Sequence, residues 1–484
     1  MKLTFYGGTG EIGGNKILLE DKNTAIFLDF GKSYHEASKY FEEFLNPRVA
    51  HGLKDYLALD LLPQKQSIYR EDLIEVLNKE GEKNICCYEK PLVDGILLSH
   101  GHLDHVGYVS FLNPQIPVYT TKKTMAVLKA FAISRPKNLE NEILELSWRN
   151  SEDPKKRKKR KRKFKIVNNQ SPFFIKNLEI TPLLIDHSLP GASMFLIKTS
   201  QGNILYSGDF RLSELKQEEK EKISDFLKKS KIKIFICEGT RVTEQLVLTE
   251  EAVYEKALKN VAAVKGLVVV DYSIGDVMRF KTLLKIARQT KRLIALPYNY
   301  FNYLSFLNQE GVLKEEGIES KDFQNLVLYA KKKITLRKWE KDLLKNNKIC
   351  TADEIKENKN RFMLVLNFYQ VPELIDIQPD EKSYYLRAIT EPHSEEMEIS
   401  EERFVNWIKH FRMQGLKEDE NNHQKQVFER AHISGHISGK ELAEFIAAIQ
   451  PEIVIPVHTE FPEEFKKFHK NVEIIKKGDV LEFS

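Results

Sequence analysis

Short apolar runs divided by glycine, aspartate and asparagine turns open the chain and predict the strands of an antiparallel sheet. The first strands are expected at residues 2–6, 15–20 and 24–30. The same pattern predicts a helix at 122–133 and further strands at 93–98, 117–121, 173–182, 194–199 and 203–206. Polar side chains follow several of these strands, so the strand ends are candidate functional positions.

From about residue 212 the pattern changes to helices that alternate with buried strands. Helices are expected at 249–264 and 275–290, and strands at 232–237, 266–271, 292–296, 361–366 and 383–388. This βαβ alternation predicts a parallel sheet in a second domain. A helix at 439–449 and a strand at 453–458 then return to the earlier theme of an apolar strand followed by a polar group.

The segment Gly8-Thr-Gly10-Glu-Ile-Gly13 matches the letters of a dinucleotide-binding loop. Such a loop must open a helix, because the N-terminus of that helix binds the pyrophosphate. Residues 15–20 are instead short, apolar and followed at once by a turn. Dinucleotide binding is therefore not expected.

Composition excludes several classes of protein. The chain has 484 residues, enough for two or three domains, and 42% of them are hydrophobic. No apolar run approaches the roughly 20 residues of a membrane span, and the first residues lead into a strand rather than a signal peptide. The four cysteines include no CxxC pair, so no disulfide framework is expected. We expect a soluble, cytoplasmic protein without a membrane partner.

The net charge of +5 conceals one strongly basic segment. Residues 155–165, KKRKKRKRKFK, contain ten lysines or arginines, and without them the chain would be net acidic. Because like charges repel, the segment is expected to be a flexible insert. It is suited to a polyphosphate backbone, since binding would release condensed counterions. A solvated loop without a special role and a nuclear-localisation signal are the alternatives.

Four side chains of the kind that bind transition metals lie directly after the apolar run 93–98, in His100-Gly-His102-Leu-Asp104-His105. In an extended or tightly turned segment, residues two apart point the same way. His100 and His102 can therefore bind one ion while Asp104 and His105 face a second. Two such ions would activate a phosphoryl or acyl group for hydrolysis. The alternative is a polar surface turn that happens to be rich in histidine.

With these residues in view, the chain resembles the β-CASP branch of the metallo-β-lactamase fold over essentially its whole length. The motifs that carry the resemblance are Asp29 in FLDFG, SHGHLDH at 99–105, His187, Asp209 in SGDF, Glu238 in CEGT, His436 in SGH and His458 in PVH. Within that branch the chain is most similar to ribonuclease J, particularly the archaeal type, and next to the endonucleases that cut messenger RNA 3′ ends.

The resemblance implies an α/β fold, namely an αββα metallo-β-lactamase sandwich with an inserted β-CASP βαβ domain. The sandwich would comprise residues 1–211 and 416–484, and the insert residues 212–415. The resemblance also implies two zinc ions with one shared aspartate. The first zinc would bind His100, His102 and His187, the second would bind Asp104, His105 and His458, and Asp209 would bridge them. Asp29 would accept a hydrogen bond from a ligand imidazole and orient it.

Other residues would act on the substrate. Glu238 and His436 resemble a pair in which the carboxylate orients the imidazole, so that His436 can protonate the leaving oxygen. Asp104 and Asp209 would share in catalysis through the metals. His432 and Ser434 match positions that hold a substrate phosphate, and Ser273 would join them.

Two departures from the family pattern bear on these assignments. Thr459 stands where a glycine is usual, and the segment after Ser273 lacks an asparagine that is common in ribonuclease J. His458, in contrast, is typical of the members that cut RNA, since the DNA-repair nucleases typically carry an apolar residue there.

The resemblance thus implies a two-zinc phosphodiesterase acting on single-stranded RNA, first as a 5′ to 3′ exonuclease. An endonuclease of the 3′-end processing type and a DNA nuclease on the same fold are alternatives. An inactive scaffold that binds RNA or ribosomes is a third, against which the complete ligand set argues. Contact with the ribosome or RNA-processing machinery through the basic segment is a further open possibility.

Overall fold

A computed structural model describes the chain except for residues 43, 80–90, 137, 152, 393–394, 420–425 and 484. Cys86 and Cys87 lie outside these described residues, while Cys237 and Cys350 are buried thiols. The strands, in chain order, are β1 (Lys2–Gly7), β2 (Lys16–Asp21), β3 (Thr24–Leu28), β4 (Gly95–Leu97), β5 (Val118–Thr121), β6 (Glu145–Ser147), β7 (Lys159–Lys161), β8 (Phe164–Val167), β9 (Phe173–Ile175), β10 (Leu178–Leu184), β11 (Ser193–Thr199), β12 (Gly202–Tyr206), β13 (Ile232–Glu238), β14 (Val268–Tyr272), β15 (Leu293–Leu296), β16 (Leu326–Tyr329), β17 (Ile349–Cys350), β18 (Phe362–Val365), β19 (Tyr384–Ala388), β20 (Leu416–Glu418), β21 (Gln426–Phe428), β22 (Ile453–Val457) and β23 (Val480–Glu482).

The α-helices, again in chain order, are α1 (Tyr34–Ser38), α2 (Lys54–Ala58), α3 (Glu71–Lys79), α4 (Leu103–Val106), α5 (Lys122–Ser134), α6 (Gln217–Lys229), α7 (Glu250–Ala262), α8 (Val277–Gln289), α9 (Tyr298–Gln309), α10 (Val312–Glu315), α11 (Lys338–Asn346), α12 (Ala352–Glu357), α13 (Leu374–Ile377), α14 (Glu395–His410) and α15 (Gly439–Ile449). The strands and helices predicted from the apolar runs are confirmed, with one exception. Residues 173–182 form two strands, β9 and β10, joined by a tight turn at Lys176 and Asn177. Lys176 has a φ of 49°, the left-handed conformation that such a turn requires.

The chain divides into two compact units. The first comprises Met1–Val247 and Gly435–Ser484, and the second comprises Leu248–Ser434. The division falls later than the expected boundaries at 211 and 415, because β13 pairs in parallel with β12 and β22 in the first unit. Helix α6 likewise packs in the first unit through Leu227.

The first unit is a sandwich of two sheets. Their strand orders are β23-β1-β2-β3-β4-β5-β8 and β22-β13-β12-β11-β10-β9. Alternation along β2 separates the two faces of its sheet, because successive side chains point to opposite sides. Ile17 and Leu19 lie in the core between the sheets, together with Ile234 of β13. Leu18 lies in the core on the outer face.

Helices cover both outer faces of the sandwich. Outside the first sheet, Leu73 of α3 and Leu128 of α5 pack in one core with Leu18. Outside the second sheet, Leu227 of α6 and Phe445 of α15 pack in another. The four layers are therefore helix, sheet, sheet and helix, the αββα arrangement that the resemblance implied.

The second unit contains a sheet of order β17-β16-β15-β18-β14-β19 in which every pairing is parallel. The predicted parallel sheet is confirmed. Apolar residues of α13 and α14, including Leu374 and Phe404, pack against this sheet and complete a core with Val269. Within the described ranges, no helix is long and apolar enough to cross a membrane.

The expectation that the basic segment is a flexible insert is wrong. Its residues 155–163, which we call the basic ribbon, include β7, and β7 pairs with β6 through Lys159↔Ser147, Arg160↔Leu146 and Lys161↔Glu145. The Arg160 guanidinium stacks on Trp148 at 3.6 Å from the ring centroid. Backbone pairing and cation–π stacking hold the segment against its own repulsion, which charge alone does not indicate.

Candidate metal centre

The polar side chains that follow the strands of the first unit converge on one edge of the sandwich. Strands β3 and β4 are parallel, as are β12, β13 and β22, so within each sheet their carboxyl ends share an edge. Asp29 follows β3, His100 follows β4, Asp209 follows β12 and His458 follows β22. The convergence explains why residues far apart in sequence meet in space.

Three histidines and an aspartate form the first donor set. His102 Nδ1 lies 2.9 Å from His100 Nε2 and 3.1 Å from His187 Nε2. Asp209 Oδ2 lies 3.6 Å from His100 Nε2. Two nitrogen ligands of a tetrahedral zinc are about 3.3 Å apart, given zinc–nitrogen bonds of about 2.0–2.1 Å. The spacing of these atoms therefore suits one ion.

The second donor set lies beside the first and shares Asp209 with it. His105 Nε2 lies 3.1 Å from Asp209 Oδ2, and His458 Nε2 lies 3.2 Å from Asp104 Oδ2 and 3.5 Å from Asp209 Oδ1. Within each set, the donor atoms all lie within 4.8 Å of one another. The structure thus brings together every residue that the resemblance named as a metal ligand, in the same two groups.

Unsatisfied buried atoms provide a test of whether these residues suit a metal. His105 Nε2 and Asp209 Oδ1 are buried, and neither has a hydrogen-bond partner among the described residues. A buried polar atom without a partner costs about 1–3 kcal/mol, which coordination to a cation would remove. Imidazole nitrogens and carboxylate oxygens are the ligands that zinc takes in hydrolase sites. The donor sets therefore fit a two-metal centre.

Asp29 orients His105 from behind the donor set. Its carboxylate accepts hydrogen bonds from Ser99 N at 2.8 Å and Tyr206 Oη at 2.6 Å, and lies 2.7 Å from His105 Nδ1. Since the carboxylate accepts, His105 Nδ1 carries a proton, and Nε2 is the ring nitrogen that faces the donor set. Asp29 thus occupies the position that was expected of it, beside a candidate ligand imidazole.

His187 is oriented by the backbone rather than by a carboxylate. Its Nδ1 donates to the Gly435 carbonyl oxygen at 2.7 Å, so its Nε2 faces His102. A Cβ atom on Gly435 would lie 2.9 Å from the His187 ring. Only glycine allows the backbone to approach this closely.

Glu238 and His436 form the pair that was expected beside the donor sets. His436 Nδ1 lies 3.1 Å from Glu238 Oε1 and 3.9 Å from Asp209 Oδ2. The Glu238 carboxylate also accepts backbone hydrogen bonds from Phe210 N and Thr240 N, both at 3.1 Å. Because these bonds fix the carboxylate, it holds the imidazole in one orientation.

The pKa values divide the histidines into two classes. Burial lowers the pKa of His100 and His187 well below the usual range and that of His102 to about 4, so these rings are neutral at pH 7. Burial acts against His105 as well, but Asp209, Asp104 and Asp29 outweigh it and raise its pKa well above the usual range. For His436, Glu238 and then Asp209 outweigh burial and raise the pKa to about 9.

Two residues of the centre have left-handed backbone conformations. Asp29 has a φ of 54° and His458 a φ of 53°. This region costs a non-glycine residue roughly 1–2 kcal/mol, and such strain clusters at functional sites. In both cases the strand ends abruptly, and the side chain turns into the centre.

Thr240, which the sequence did not predict as a functional residue, connects the second donor set to the pair of Glu238 and His436. Its Oγ1 lies 2.8 Å from His458 Nδ1 and 3.1 Å from His436 Nδ1. It also donates to the His458 carbonyl oxygen at 3.3 Å. The motif CEGT contains Thr240, but nothing in the sequence indicates which imidazoles its hydroxyl would reach.

The glycine-rich segment also has a role that its letters did not indicate. No helix follows it, which agrees with the rejection of dinucleotide binding. The carbonyl oxygen of Gly8 accepts a hydrogen bond from His458 N at 2.7 Å. Gly13 has a φ of 79°, and a Cβ there would lie 2.7 Å from Asp104 Cβ. The glycines therefore leave room for the second donor set.

The three candidate phosphate-binding residues belong to the second unit. Ser273 follows β14 and is exposed, whereas His432 and Ser434 are half-buried. Arg279 of α8 donates to the Ala431 carbonyl oxygen at 2.7 Å and pairs with Glu250 in a buried ion pair. The segments that carry Ser273 and His432 are therefore tied within one unit.

Comparison with known proteins agrees with this geometry. The family described as "Beta-lactamase superfamily domain" matches residues 86–263. The family described as "Zn-dependent metallo-hydrolase RNA specificity domain" matches residues 425–472. These ranges contain every candidate metal ligand.

Similar whole proteins extend these matches. The chain is 23% identical to "Ribonuclease J" of Pyrococcus abyssi, covering 100% of this chain and 97% of that protein. It is 21% identical to "Ribonuclease J" of Methanocaldococcus jannaschii, covering 100% and 99%. A crystal structure of a protein of unknown function from Enterococcus faecalis V583 is similar with a TM-score of 0.70 and 21% identity, covering 99% of each chain.

The fold and the two matched families define the class as metallo-β-lactamase-fold hydrolases. Within that class, the resemblance to the β-CASP nucleases of the ribonuclease J type, archaeal members included, is confirmed.

Proposed function

We propose that the chain is a two-zinc ribonuclease that hydrolyses single-stranded RNA from the 5′ end, in RNA processing or decay. The observation that carries the proposal is the shared carboxylate of Asp209, which lies 3.1 Å from His105 and 3.6 Å from His100. One carboxylate common to two donor sets suits a pair of metal ions. The names of the full-length relatives support RNA as the substrate, and with RNA as substrate we propose a cytoplasmic location.

The proposed roles follow the two donor sets. His100, His102 and His187 would hold one zinc, and Asp104, His105 and His458 the other, with Asp209 between them. Two bound zinc ions supply Lewis-acid charge that makes water nucleophilic at neutral pH and neutralises the phosphate. Asp29, through its 2.7 Å contact with His105 Nδ1, would keep Nε2 of that ring directed at the centre.

His436 would donate the proton that the leaving 3′ oxygen takes up. Its raised pKa of about 9 keeps the imidazolium protonated at neutral pH. Hydrolysis that breaks the bond between phosphorus and the 3′ oxygen leaves an alkoxide, and a positioned acid lowers the barrier to its departure. Glu238 would hold the ring and, as an anion, favour its protonated form.

A substrate phosphate would be held by His432 and Ser434, with Ser273 as a third contact. A pocket that closes around a 5′ phosphate would restrict cutting to the terminus. The chemistry of these side chains suits this role, because hydroxyl and imidazole groups donate hydrogen bonds to phosphate oxygens. The missing asparagine after Ser273 makes Ser273 the weakest of the three assignments.

The test uses one RNA sequence carrying a 5′ monophosphate, a 5′ triphosphate or a 5′ hydroxyl, with products sized over time. Mononucleotides that appear first, and only from the monophosphate, would support the proposal. Defined internal fragments from all three would indicate an endonuclease of the 3′-end processing type instead. A DNA strand of the same sequence, run in parallel, would expose a DNA nuclease.

Metal dependence is tested on the same RNA. The protein is stripped with a chelator, and zinc is added back while metal content is measured. Activity that returns as two zinc ions bind per chain would support the two-zinc account. Full activity in the stripped protein would contradict it.

A further inference from the structure

The basic ribbon presents an exposed cationic surface. Lys155, Lys156, Lys158, Lys159 and Lys161 are all exposed. In the described part of the chain, no carboxylate forms an ion pair with any of the five, although Glu145 lies opposite Lys161 in the pairing of β6 with β7 and Asp153 directly precedes the ribbon. The positive charge of these lysines is therefore available to a partner.

Buried anchors fix the ribbon in place. Arg162 is buried and donates to the backbone carbonyl oxygens of Leu112, Asn113 and Ile143, at 2.8, 3.2 and 3.2 Å. Trp148 N donates to the Lys158 carbonyl oxygen at 2.9 Å, and the Trp148 ring stacks on Arg160. A fixed ribbon loses less conformational entropy on binding than a mobile tail.

The ribbon leads into the amino end of β8 in the seven-stranded sheet, and this end is opposite the one that carries the metal centre. Strands β4, β5 and β8 are parallel, and His100 follows the carboxyl end of β4. Lys161 and Arg162 precede the amino end of β8, and Leu112 and Asn113 precede β5. At about 3.3 Å per residue, the four residues of β8 alone separate the two ends by about 13 Å. The ribbon cannot contact the phosphate that is cut.

Strand geometry also spaces the charges regularly. Lys159 and Lys161 lie two residues apart on β7 and so point to the same face, about 7 Å from one another. That separation is similar to the spacing of successive phosphates along a nucleic acid strand. Lysines on an exposed strand can also prevent pairing with another sheet edge.

We propose that the basic ribbon is an RNA-binding exosite, which contacts the phosphate backbone of the substrate at a distance from the cut. The inference rests on the proposed function for the identity of the nucleic acid. An exosite of this kind makes binding depend on RNA length, because only an RNA that extends beyond the metal centre reaches it. Short RNAs would be bound by the centre alone.

The experiment compares two sets of lysine substitutions in the full chain. The ribbon variant carries Lys155→Gln, Lys158→Gln, Lys159→Gln and Lys161→Gln, which leave Arg160 and Arg162 in place. The matched control carries Lys222→Gln, Lys228→Gln, Lys229→Gln and Lys231→Gln, which remove four exposed charges in or just after α6. A third protein carries arginine at the four ribbon positions.

Binding is measured by fluorescence anisotropy with RNAs whose backbone cannot be cleaved, so that the metal centre stays loaded and the result does not depend on cleavage. Single-stranded RNAs of about 6 and about 40 nucleotides are compared, because the first lies within and the second well beyond the roughly 4–16 nucleotides that a single-strand-binding fold covers. We expect the ribbon variant to bind the long RNA roughly tenfold more weakly, and its log–log salt dependence to become shallower by about 0.7 for each phosphate that it no longer neutralises. The short RNA, the control and the arginine protein should bind as the unaltered chain does.

Equal losses in the ribbon variant and the control, or no loss in either, would overturn the exosite. A loss that is the same for the short RNA would also overturn it. So would a ribbon variant that loses binding to vesicles of anionic phospholipid while keeping its affinity for RNA. If the unaltered chain binds long RNA through the ribbon but cuts no RNA, the exosite stands and the proposed ribonuclease activity fails.

Discussion

The two donor sets of the candidate metal centre, here called its first and second halves, differ in charge and in exposure. His100, His102 and His187 are neutral rings whose pKa values burial lowers, so they are ready to bind an ion. The other half contains His105, whose pKa Asp209 raises against the effect of burial, and the Asp104 side chain, which is 21% exposed. The first half can bind a metal without losing a proton, because its imidazoles are already neutral. The second half must release a proton before it binds one. The two halves should therefore bind metal with different affinities, although both contain Asp209.

The largest expected effect comes from removing what the halves share. Asp209→Asn keeps the shape of the side chain but withdraws its charge from both sets. We expect both metals to be lost and RNA cleavage to fall by about 10⁴-fold or more, as when a group central to catalysis is removed. Metal content by mass spectrometry and the initial rate of cleavage are the measurements. A variant that kept two metals would show that Asp209 does not bridge.

Removing one ligand from each half tests whether the halves are separable. His187→Ala and His458→Ala should each leave about one metal per chain and reduce cleavage by about 10²–10³-fold, within the range that one metal contributes to phosphoryl chemistry. The remaining metal should bind more tightly in His458→Ala, because the all-histidine half is intact there. The reverse order would contradict the comparison.

Glu238→Gln tests the acid beside both halves. In the unaltered chain, Glu238 and Asp209 hold the pKa of His436 at about 9, so activity should decline only as pH rises through about 9. Without the Glu238 charge the pKa falls toward its usual value, and the decline should begin at lower pH. At pH 8 the protonated fraction of His436 would then be lower by up to about 30-fold, and we expect cleavage to fall with it. A pH–rate profile that did not shift would exclude His436 as the acid.

The pH dependence of metal binding distinguishes the halves without any substitution. Since the raised pKa of His105 means that a proton must leave, the affinity of the second half should fall about tenfold for each unit that the pH drops below neutrality. The first half should keep its affinity until about pH 4, where His102 is protonated. Zinc titrations by calorimetry between pH 5.5 and pH 7.5, which span about two units, measure both.

Thr240→Val should have the smallest effect. The change removes the hydroxyl that contacts the Nδ1 atoms of His436 and His458 but nearly keeps the volume. We expect cleavage to fall about tenfold, as is typical when a partner that orients a ligand is lost. Thr240→Ser keeps the hydroxyl and serves as the control. Equal activity in the two variants would show that the hydroxyl contributes nothing.

The sequence was most informative about functional residues that directly follow a strand. Parallel strands bring their carboxyl ends to one edge, so the polar residues after β4, β12 and β22 were candidate functional positions, and the resemblance assigned them to one site. The partners within the site could not all be assigned. The resemblance implied that Asp29 holds a ligand imidazole, but it did not say that this imidazole is His105. That contact, and the hydrogen bonds from Asn15 through Tyr206 to Asp29, depend on side-chain positions that only packing fixes.

In the basic ribbon, the prediction from the sequence failed. Ten like charges predicted a segment kept flexible by repulsion. No pattern in the sequence indicates that Trp148 stacks on Arg160 or that Arg162 donates to three carbonyl oxygens. These contacts come from segments up to 50 residues away. Charge composition described the surface correctly but not the backbone beneath it.

Strand β22, which pairs with β13 and is followed by His458, comes late in the chain. The second half of the metal centre is therefore completed late during synthesis. Asp104 and His458 are 354 residues apart in the chain, whereas His100, His102, His187 and Asp209 have all been made before the second unit begins. At about 5–20 residues per second on the ribosome, a nascent chain would hold the all-histidine half of the centre for tens of seconds before His458 exists. The growing polypeptide would thus remain without its complete centre, and harmless to the messenger that encodes it, until that strand is in place.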